Sequence, residues 1–190
     1  MRGAEFLASI DTYLEQLRRQ IAALDRAQLA GFAALLRTAC DEGRQIFIMG
    51  NGGSAATASH FACDFNKGLS YRREKRYKFI CLNDNLPMLT AYANDVGYDA
   101  VFVEQLKNFL CAGDLVIGIS GSGNSANVVR AVEFANAQGA VTVALTGYDG
   151  GRLRRAAQHC VHVDVHDMQL VEDIHMVLDH MSMRVVGQEG

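Results

Sequence analysis

The 190-residue sequence lacks several features that mark particular classes of protein. It contains no uncharged apolar run near the roughly 20 residues that a membrane-spanning helix needs, so we expect no membrane partner. It also has no surplus of positive charge, because 18 Lys and Arg stand against 21 Asp and Glu, for a net charge of −3. A basic patch is the usual footprint of nucleic-acid binding, so we expect no nucleic-acid partner.

The five cysteines include no Cys-X-X-Cys motif, and their odd number leaves at least one unpaired. Cys81, Cys111 and Cys160 lie within or beside apolar runs, which is typical of buried free thiols. The first 24 residues carry a charge every few positions, unlike the apolar core of a secretory signal peptide. We therefore expect a reduced, cytoplasmic protein, and 190 residues suffice for one domain with a buried core.

Apolar segments of strand length recur along the chain and alternate with segments of helical pattern. The strand-like segments span residues 45–50, 79–82, 114–120, 140–146 and 160–165. The helical segments between them span residues 54–67, 86–93, 100–110 and 124–138. This alternation predicts a doubly wound α/β fold with a parallel sheet, in a single domain. In the last segment, valines alternate with polar residues, which predicts an edge strand with one exposed face.

Helices are predicted at both ends of the chain. Near the amino terminus, an apolar seam recurs at spacings of three and four residues, which is typical of a helix that packs against a partner. The seam consists of Ile10, Leu14, Leu17, Ile21 and Leu24. Its partner is either the protein's own domain or another copy of the chain. Residues 171–186 form a second helical segment, rich in Met and aliphatic residues.

Two glycine-rich loops follow two of the predicted strands. The first is Gly-Asn-Gly-Gly-Ser-Ala-Ala at 50–56, and the second is Ser-Gly-Ser-Gly-Asn-Ser-Ala at 120–126. Small residues let backbone N–H groups approach an anion, and a helix that begins there adds free donors. Either loop alone is explained as a capped turn. Two of them at the carboxyl edge of one sheet favour a site for a small phosphorylated metabolite.

Histidines and carboxylates follow these loops. His60 and Asp64 stand four residues apart on one face of a predicted helix, as a metal-ligand pair, an acid–base pair or a surface hydrogen bond would. The carboxyl-terminal helix adds Glu172, Asp173, His175, Asp179 and His180. These side chains either satisfy one another or face a polar cavity. Eight residues separate Glu172 from His180, about 12 Å along a helix, so one ion reaches both only if their side chains converge or come from different subunits.

These motifs together resemble the SIS (sugar isomerase) domain, and within that group the phosphoheptose isomerase family. The resemblance runs from about residue 30 to 186 and is carried by the segments 50–54, 93–95, 118–127 and 145–151 and by the helices with His60 and with Glu172, His175 and His180. It implies one SIS domain over residues 1–190, with a three-layer αβα flavodoxin-like fold and a five-stranded parallel sheet. It also implies a homotetramer, with the helical segment 1–43 in contacts between subunits and the active sites near the interfaces.

The resemblance further implies an activity and a set of site residues. The activity is the conversion of sedoheptulose 7-phosphate to D-glycero-D-manno-heptose 7-phosphate. By this resemblance, the phosphate is bound by Ser120, Gly121, Ser122 and Ser125, with Ser54 nearby. The sugar is bound by Asn51, Gly52, Gly53, Asn94 and Asp95. The resemblance also implies that Zn²⁺ or another divalent cation is bound by His60, Asp64, Glu172 and His180.

Two positions depart from the family pattern. Asp64 stands where the family usually has Glu, its general base, and Glu172 stands where it usually has Gln, a ligand of metal and substrate. Either Asp64 or Glu172 is therefore the expected base, with His180 moving the oxygen-bound proton. The alternatives are an isomerase of another sugar phosphate, and a non-catalytic SIS protein that binds phosphosugars or associates with the DnaA replication initiator.

Overall fold

In the computed structural model, which describes residues 2–188, five parallel strands form one sheet. The strands are β1 (Gln45–Met49), β2 (Lys78–Cys81), β3 (Leu115–Ser120), β4 (Val141–Thr146) and β5 (His159–His162). Their order across the sheet is β2-β1-β3-β4-β5, which is the flavodoxin-like order. The α/β fold with a five-stranded parallel sheet is therefore confirmed, and β5 lies at an edge, as its alternating pattern predicted.

The described residues contain eight α-helices. They are α1 (Arg2–Ala23), α2 (Arg26–Asp41), α3 (Gly53–Cys63), α4 (Leu86–Asp95), α5 (Val103–Phe109), α6 (Ala126–Ala137), α7 (Gly151–Ala156) and α8 (Met168–Gly187). The four helical segments predicted between the strands correspond to α3, α4, α5 and α6. The first of these predictions is only partly right, because the α-helix ends at Cys63 and a π-helical segment, Asp64–Leu69, continues it. Such wide turns occur often at functional sites.

Two apolar cores separate the helices into layers on either side of the sheet. Alternate residues of each buried strand face opposite sides, so Ile46 and Ile48 join one core while Phe47 and Met49 join the other. The first core packs against α2, α3 and α8, and the second against α5, α6 and α7. The layers thus bring α3 and α8 side by side on the same face of the sheet.

The apolar seam of α1 divides between two environments. Its carboxyl-terminal part packs against the domain, because Leu24 is buried and Leu17 and Ile21 contact the first core. Its amino-terminal part is exposed, with Ile10 and Leu14 each more than half accessible. Packing against the protein's own domain is therefore confirmed for the carboxyl-terminal part of the seam, and contact of the exposed part with another copy of the chain remains a prediction.

The five cysteines are all free, as expected for a reduced protein. Cys81 is buried and Cys160 is partly buried, in agreement with the sequence pattern. The expectation for Cys111 is wrong, because this residue is exposed in the turn between α5 and β3. An apolar run that ends at a turn does not determine whether the residues beside it are buried. Within residues 2–188, none of the helices combines the length and apolar character that crossing a membrane requires.

The helix α8 carries a stripe of buried polar side chains on its inner face. His175, Asp179 and Ser182 recur at spacings of four and three residues, and each is at most 1% exposed. Burial lowers the pKa of His175 to about 4, an effect that the nearby backbone of Thr146 only partly offsets. The folded protein therefore holds this imidazole neutral.

Replacing His175 by Gln is expected to remove an acid sensitivity of the fold. Between the ordinary pKa of 6.5 and about 4, the unfolded chain takes up a proton at His175 that the folded chain does not. This difference lowers the free energy of unfolding as the pH falls, by at most about 1.4 kcal/mol per pH unit. Denaturant unfolding of wild type and His175→Gln at several pH values between 7 and 4 measures the contribution as a difference.

The comparison of wild type with His175→Gln is needed because Asp179 changes the free energy of unfolding with pH in the opposite direction. Burial and then the charge of Asp64 raise its pKa to about 7, so its contribution to stability falls as the pH rises over the same range. The matched control is His159→Gln, on an exposed residue of β5. Equal pH dependence of wild type and His175→Gln would contradict the prediction.

Candidate active site

A cleft of about 270 Å³ opens at the carboxyl edge of the sheet, between the two glycine-rich loops. It is lined by residues from the first loop, the second loop and the start of α8. These include Asn51, Gly52, Gly53, Ser54, Ser120, Gly121, Ser122, Ser125, Met168 and Glu172. Nine of these residues are among those that the sequence predicts for the site, and Met168 is an addition. The structure thus brings both loops and the amino-terminal turn of α8 to one cleft.

The two helices that begin at this cleft differ from three others in the way they start. The amino-terminal turns of α2, α4 and α8 are capped by the side chains of Asp25, Asn85 and Asp167. The residues before α3 and α6, Gly52 and Ser125, do not cap these helices with a side chain. The N–H of Val128 already donates to Oδ1 of Asn127, and that of Ala55 to the carbonyl of Gly52. The first two backbone N–H groups of each helix therefore remain available to a ligand, and the positive end of the helix dipole favours a negative one.

The two uncapped helices face different groups. The carboxylate of Glu172 lies against Gly53 at the first turn of α3, so closely that a Cβ at position 53 would overlap it. A negative charge is thus already placed at this end of α3. The second loop and α6 face the open part of the cleft, where Ser120 Oγ and Ser125 Oγ lie 3.0 Å apart. The α6 end is therefore the candidate position for an anion, and phosphate binding there remains a prediction.

The second loop is held from behind by the segment that follows β4. Gly123 has a φ of +67°, and its carbonyl accepts a hydrogen bond of 2.8 Å from the N–H of Leu153. The carbonyl of Gly121 accepts one of 2.9 Å from the N–H of Gly147. A Cβ at position 123 would overlap the carbonyl of Gly150. This close backbone contact requires glycine and fixes the direction of the serine hydroxyls.

Replacing Gly123 by Ala is therefore expected to lower the free energy of unfolding by more than about 1 kcal/mol, because the positive φ and the overlap both disfavour a side chain. Chemical denaturation measures the effect. The control is Gly31→Ala in the middle of α2, where a Cβ meets no atom within 4 Å. That change is expected to raise the free energy of unfolding by about 0.5 to 1 kcal/mol. Equal effects of the two substitutions would show that the loop tolerates a side chain.

An amide pair, which the sequence does not reveal, orients Asn51 in the first loop. Its Nδ2 donates to Oδ1 of Asn127 at 2.9 Å, and Nδ2 of Asn127 donates to Oδ1 of Asn51 at 3.0 Å. The hydroxyl of Tyr98 donates to the same Asn51 oxygen at 2.9 Å. Asn127 is buried on α6. The sequence signal that could have indicated this contact is the amide of Asn127 among the apolar residues of the predicted helix.

Asn94 and Asp95, which the resemblance places in the sugar site, do not line this cleft. Both are exposed at the end of α4, and Nδ2 of Asn94 donates to Oδ1 of Asp95 at 2.7 Å. No residue of α4 is buried. Their role in substrate binding remains a prediction.

A second cluster of polar groups lies between α3 and α8. Its residues on α8 lie about two turns after Glu172. Its members are His60, Asp64, Asp179 and His180, whose nearest ligand atoms all lie within 4.8 Å of one another. Nε2 of His60 is 3.1 Å from Nε2 of His180 and 3.6 Å from Oδ2 of Asp64. Oδ2 of Asp64 is 3.9 Å from Nε2 of His180. Two imidazoles and two carboxylates at these separations are able to bind a divalent cation or to move protons.

The cluster contains three of the four residues that the resemblance assigns to the metal, with Asp179 in addition. Glu172 lies outside it, because about 12 Å of helix separates this residue from His180 and its carboxylate turns toward Gly53. Within one chain, the structure therefore does not bring Glu172 together with the other three. The sequence shows Asp179 as a charged residue inside an apolar helix. It does not show that the carboxylate points toward α3.

The sequence family agrees with this fold and site. Residues 5–147 match the family described as the SIS domain, so the fold and the loops are those of a SIS-domain protein. The chain is 34% identical to the probable phosphoheptose isomerase of Thermoplasma acidophilum over 93% of this chain and 97% of that protein. It is 35% identical to the phosphoheptose isomerase of Aliarcobacter butzleri over 97% of this chain and 95% of that protein.

Solved structures give the same result. The phosphoheptose isomerase of Neisseria gonorrhoeae superposes on this chain with a TM-score of 0.89 and 29% identity, covering 97% of this chain and 98% of that one. The chain therefore belongs to the phosphoheptose isomerase family.

Proposed function

We propose that the protein is a cytoplasmic aldose–ketose isomerase that converts sedoheptulose 7-phosphate to D-glycero-D-manno-heptose 7-phosphate. The relatives that carry the name phosphoheptose isomerase match the chain over nearly its whole length. Five free cysteines agree with a reducing compartment. The observation that carries the proposal is that the cleft with the serine loop meets the first turns of α3 and α8, while the acid–base cluster lies about two turns further along both helices.

The spacing of these two sites suits a seven-carbon sugar phosphate. Seven residues of α3 separate Gly53 from His60, and seven residues of α8 separate Glu172 from Asp179, which is about 10 Å along each helix. At C–C bond lengths of about 1.5 Å, seven extended carbons with a phosphate ester span roughly 10 Å. Ser122 lines the same cleft as Gly53 and Glu172, and the proposed substrate has its phosphate at Ser122 and its first two carbons toward the cluster.

The isomerisation requires two proton transfers. A base removes the proton from C1 and returns it to C2, while a second group moves a proton between the oxygens O2 and O1. Asp64 is the proposed base within the cluster, with Glu172 as the alternative at the cleft, and His180 is the proposed group that serves the oxygens. Binding of the remote phosphate holds the carbons against these side chains, which lowers the entropic part of the barrier.

A divalent cation, proposed to be Zn²⁺, fits the cluster. The donors are imidazole nitrogens and carboxylate oxygens, which Zn²⁺ prefers, and both oxygens of buried Asp179 lack a hydrogen-bond partner within residues 2–188. His60, Asp64 and His180 are the proposed ligands shared with the family pattern. When bound, the ion would supply Lewis-acid polarisation of the sugar carbonyl by accepting its oxygen as one ligand more than the protein provides, because zinc sites can expand to five ligands.

The proposed assembly is a homotetramer whose interfaces complete the active site. The exposed apolar residues at the start of α1 support it, because a solvent-facing stripe that includes Phe6, Leu7, Ile10 and Leu14 calls for a partner. The helix α4 supports it as well, because Asn94 and Asp95 lie outside the cleft of their own chain. Sedimentation equilibrium tests the state, and a monomer at micromolar concentration would refute it.

Incubation with ketose phosphates of five, six and seven carbons tests the activity. Formation of the aldose is followed by NMR, with and without a chelator. Sedoheptulose 7-phosphate is expected to have the highest kcat/KM, because the shorter sugars do not reach from the serine loop to the cluster. A preference for a shorter sugar would identify the isomerase of another phosphosugar, which the departures at Asp64 and Glu172 favour as the second candidate. If none of the sugars is turned over, the protein is not an isomerase of these sugars, and the non-catalytic binding protein is the remaining candidate.

A further inference from the structure

Asp179 combines complete burial with two unsatisfied oxygens. Its exposed fraction is 0%, and neither Oδ1 nor Oδ2 has a hydrogen-bond partner in the part of the chain that the structure describes. An ionised carboxylate is costly to bury unless a donor or a cation compensates its charge. The nearest charged partner, Nε2 of His60, is 3.9 Å from Oδ2, which is too far for a hydrogen bond. In its ionised form, this side chain therefore has no compensating donor or cation among the described residues.

The direction of Asp179 shows where such a group lies. Oδ2 points toward Nε2 of His60, which is also the atom that faces His180 and Asp64. The rings of His60 and His180 meet nearly at right angles, at 75°, and both direct Nε2 to the same place. Four ligand atoms from two helices thus surround one position.

The separations between these atoms are close to those of a metal-bound set. Four of the six run from 3.1 to 3.9 Å, and all six are within 4.8 Å. In a tetrahedral site with bonds of about 2.0 to 2.1 Å, ligand atoms are roughly 3.3 Å apart, so a small contraction of the cluster suffices. Two imidazoles and two carboxylates also neutralise a divalent cation completely. Glu172, by contrast, already has the amino-terminal turn of α3 beside its carboxylate.

We propose that Asp179, rather than Glu172, is the fourth protein ligand of a divalent cation held by His60, Asp64 and His180. Glu172 then remains at the cleft, where its carboxylate is available to the sugar. This assignment rests on the proposed function only in its first three ligands, because Asp179 enters from its own burial and direction.

Zinc affinity measured on metal-free protein tests the assignment without any assay of catalysis. Competition with a chromogenic chelator gives the dissociation constant for wild type, Asp179→Asn and Glu172→Ala, which has no ligand atom at position 172. We expect Asp179→Asn to weaken zinc binding by at least tenfold and Glu172→Ala to change it by less than threefold. The intense visible absorption of tetrahedral Co²⁺ is expected to weaken in Asp179→Asn and to persist in Glu172→Ala. Loss of affinity in Glu172→Ala, or wild-type affinity in Asp179→Asn, would overturn the proposal.

Thermal unfolding separates loss of a ligand from loss of the fold. Because the carboxylate of Asp179 makes no hydrogen bond, metal-free Asp179→Asn is expected to unfold at or above the temperature of metal-free wild type. Added zinc is expected to raise the unfolding temperature of wild type and Glu172→Ala but not that of Asp179→Asn. Asp179→Leu, which has a similar volume and no ligand atom, repeats the measurement. A zinc-dependent rise in Asp179→Leu equal to that of wild type would contradict the assignment.

The outcomes also distinguish this proposal from the proposed function. If wild type isomerises the sugar and binds no zinc, the metal assignment is wrong and the function stands. If wild type binds zinc through Asp179 and isomerises none of the sugar phosphates, the function is wrong and the metal site stands.

Discussion

Replacing Asp64 by Asn is expected to lower kcat by about 10²- to 10⁴-fold, the usual contribution of a positioned acid or base. The amide keeps the shape of the side chain but is unable to take the proton from C1. The proposed phosphate site is the serine loop, and its cleft meets α3 only at the first turn, about 16 Å of helix from Asp64, so binding of the sugar phosphate is expected to remain nearly intact. Turnover is measured at saturating zinc, and binding is measured by calorimetry on the same protein.

Two further variants make this result specific. Asp41→Asn removes a carboxylate at the end of α2 that only pairs with Lys75 at the surface, and it is expected to retain wild-type turnover. Asp64→Glu restores the residue that the family usually has and is expected to retain measurable turnover. Unchanged kcat in Asp64→Asn would show that Asp64 is not the base. A comparable loss in Glu172→Gln, with Asp64→Asn active, would assign the role to Glu172.

Replacing Ser122 by Ala is expected to weaken binding of the sugar phosphate by about 10- to 100-fold. A hydrogen bond to a charged group contributes roughly 1.5 to 3 kcal/mol, which corresponds to this range. Ser122 is the most informative of the three serines because its Oγ accepts a bond of 3.2 Å from the N–H of Asn124. Its own hydroxyl hydrogen therefore remains free to donate to a phosphate oxygen. Ser120 and Ser125 already face each other at 3.0 Å.

Calorimetric titration with the substrate and with inorganic phosphate measures the loss at the Ser122 site. The two ligands are expected to lose affinity by a similar factor, because they share only the phosphate. Ser9→Ala on exposed α1, whose hydroxyl bonds only to the carbonyl of Glu5, is the control and is expected to bind normally. If Ser122→Ala bound both ligands as wild type does, the phosphate would have to lie elsewhere in the cleft.

The agreement between the sequence pattern and the structure is closest where local chemistry decides. The runs of Val and Ile in β3 and β4 are buried on both faces, which only a strand covered by two helical layers allows. The two glycine-rich loops meet because parallel strands end at the same edge of their sheet. These predictions depended on spacing and residue type alone.

The disagreements arise where side-chain direction decides. Three features depend on which neighbouring side chains pack against a residue. They are the exposure of Cys111, the end of α3 at Cys63 and the division of the α1 seam into a packed and an exposed part. The amide pair of Asn51 and Asn127 joins residues 76 positions apart. Sequence spacing along one element carries no information about a contact between two elements.

The cluster between α3 and α8 shows the division most clearly. The sequence by itself determined the α/β sheet, the two glycine-rich loops and the presence of His60, Asp64 and His180 on two helices. Only the tertiary structure decided which acid joins them, because α8 turns Asp179 inward toward α3 and directs Glu172 to the first turn of that helix. The physical reason is that packing of two helices fixes the rotation of each about its axis. That rotation is set by the whole core rather than by any local segment.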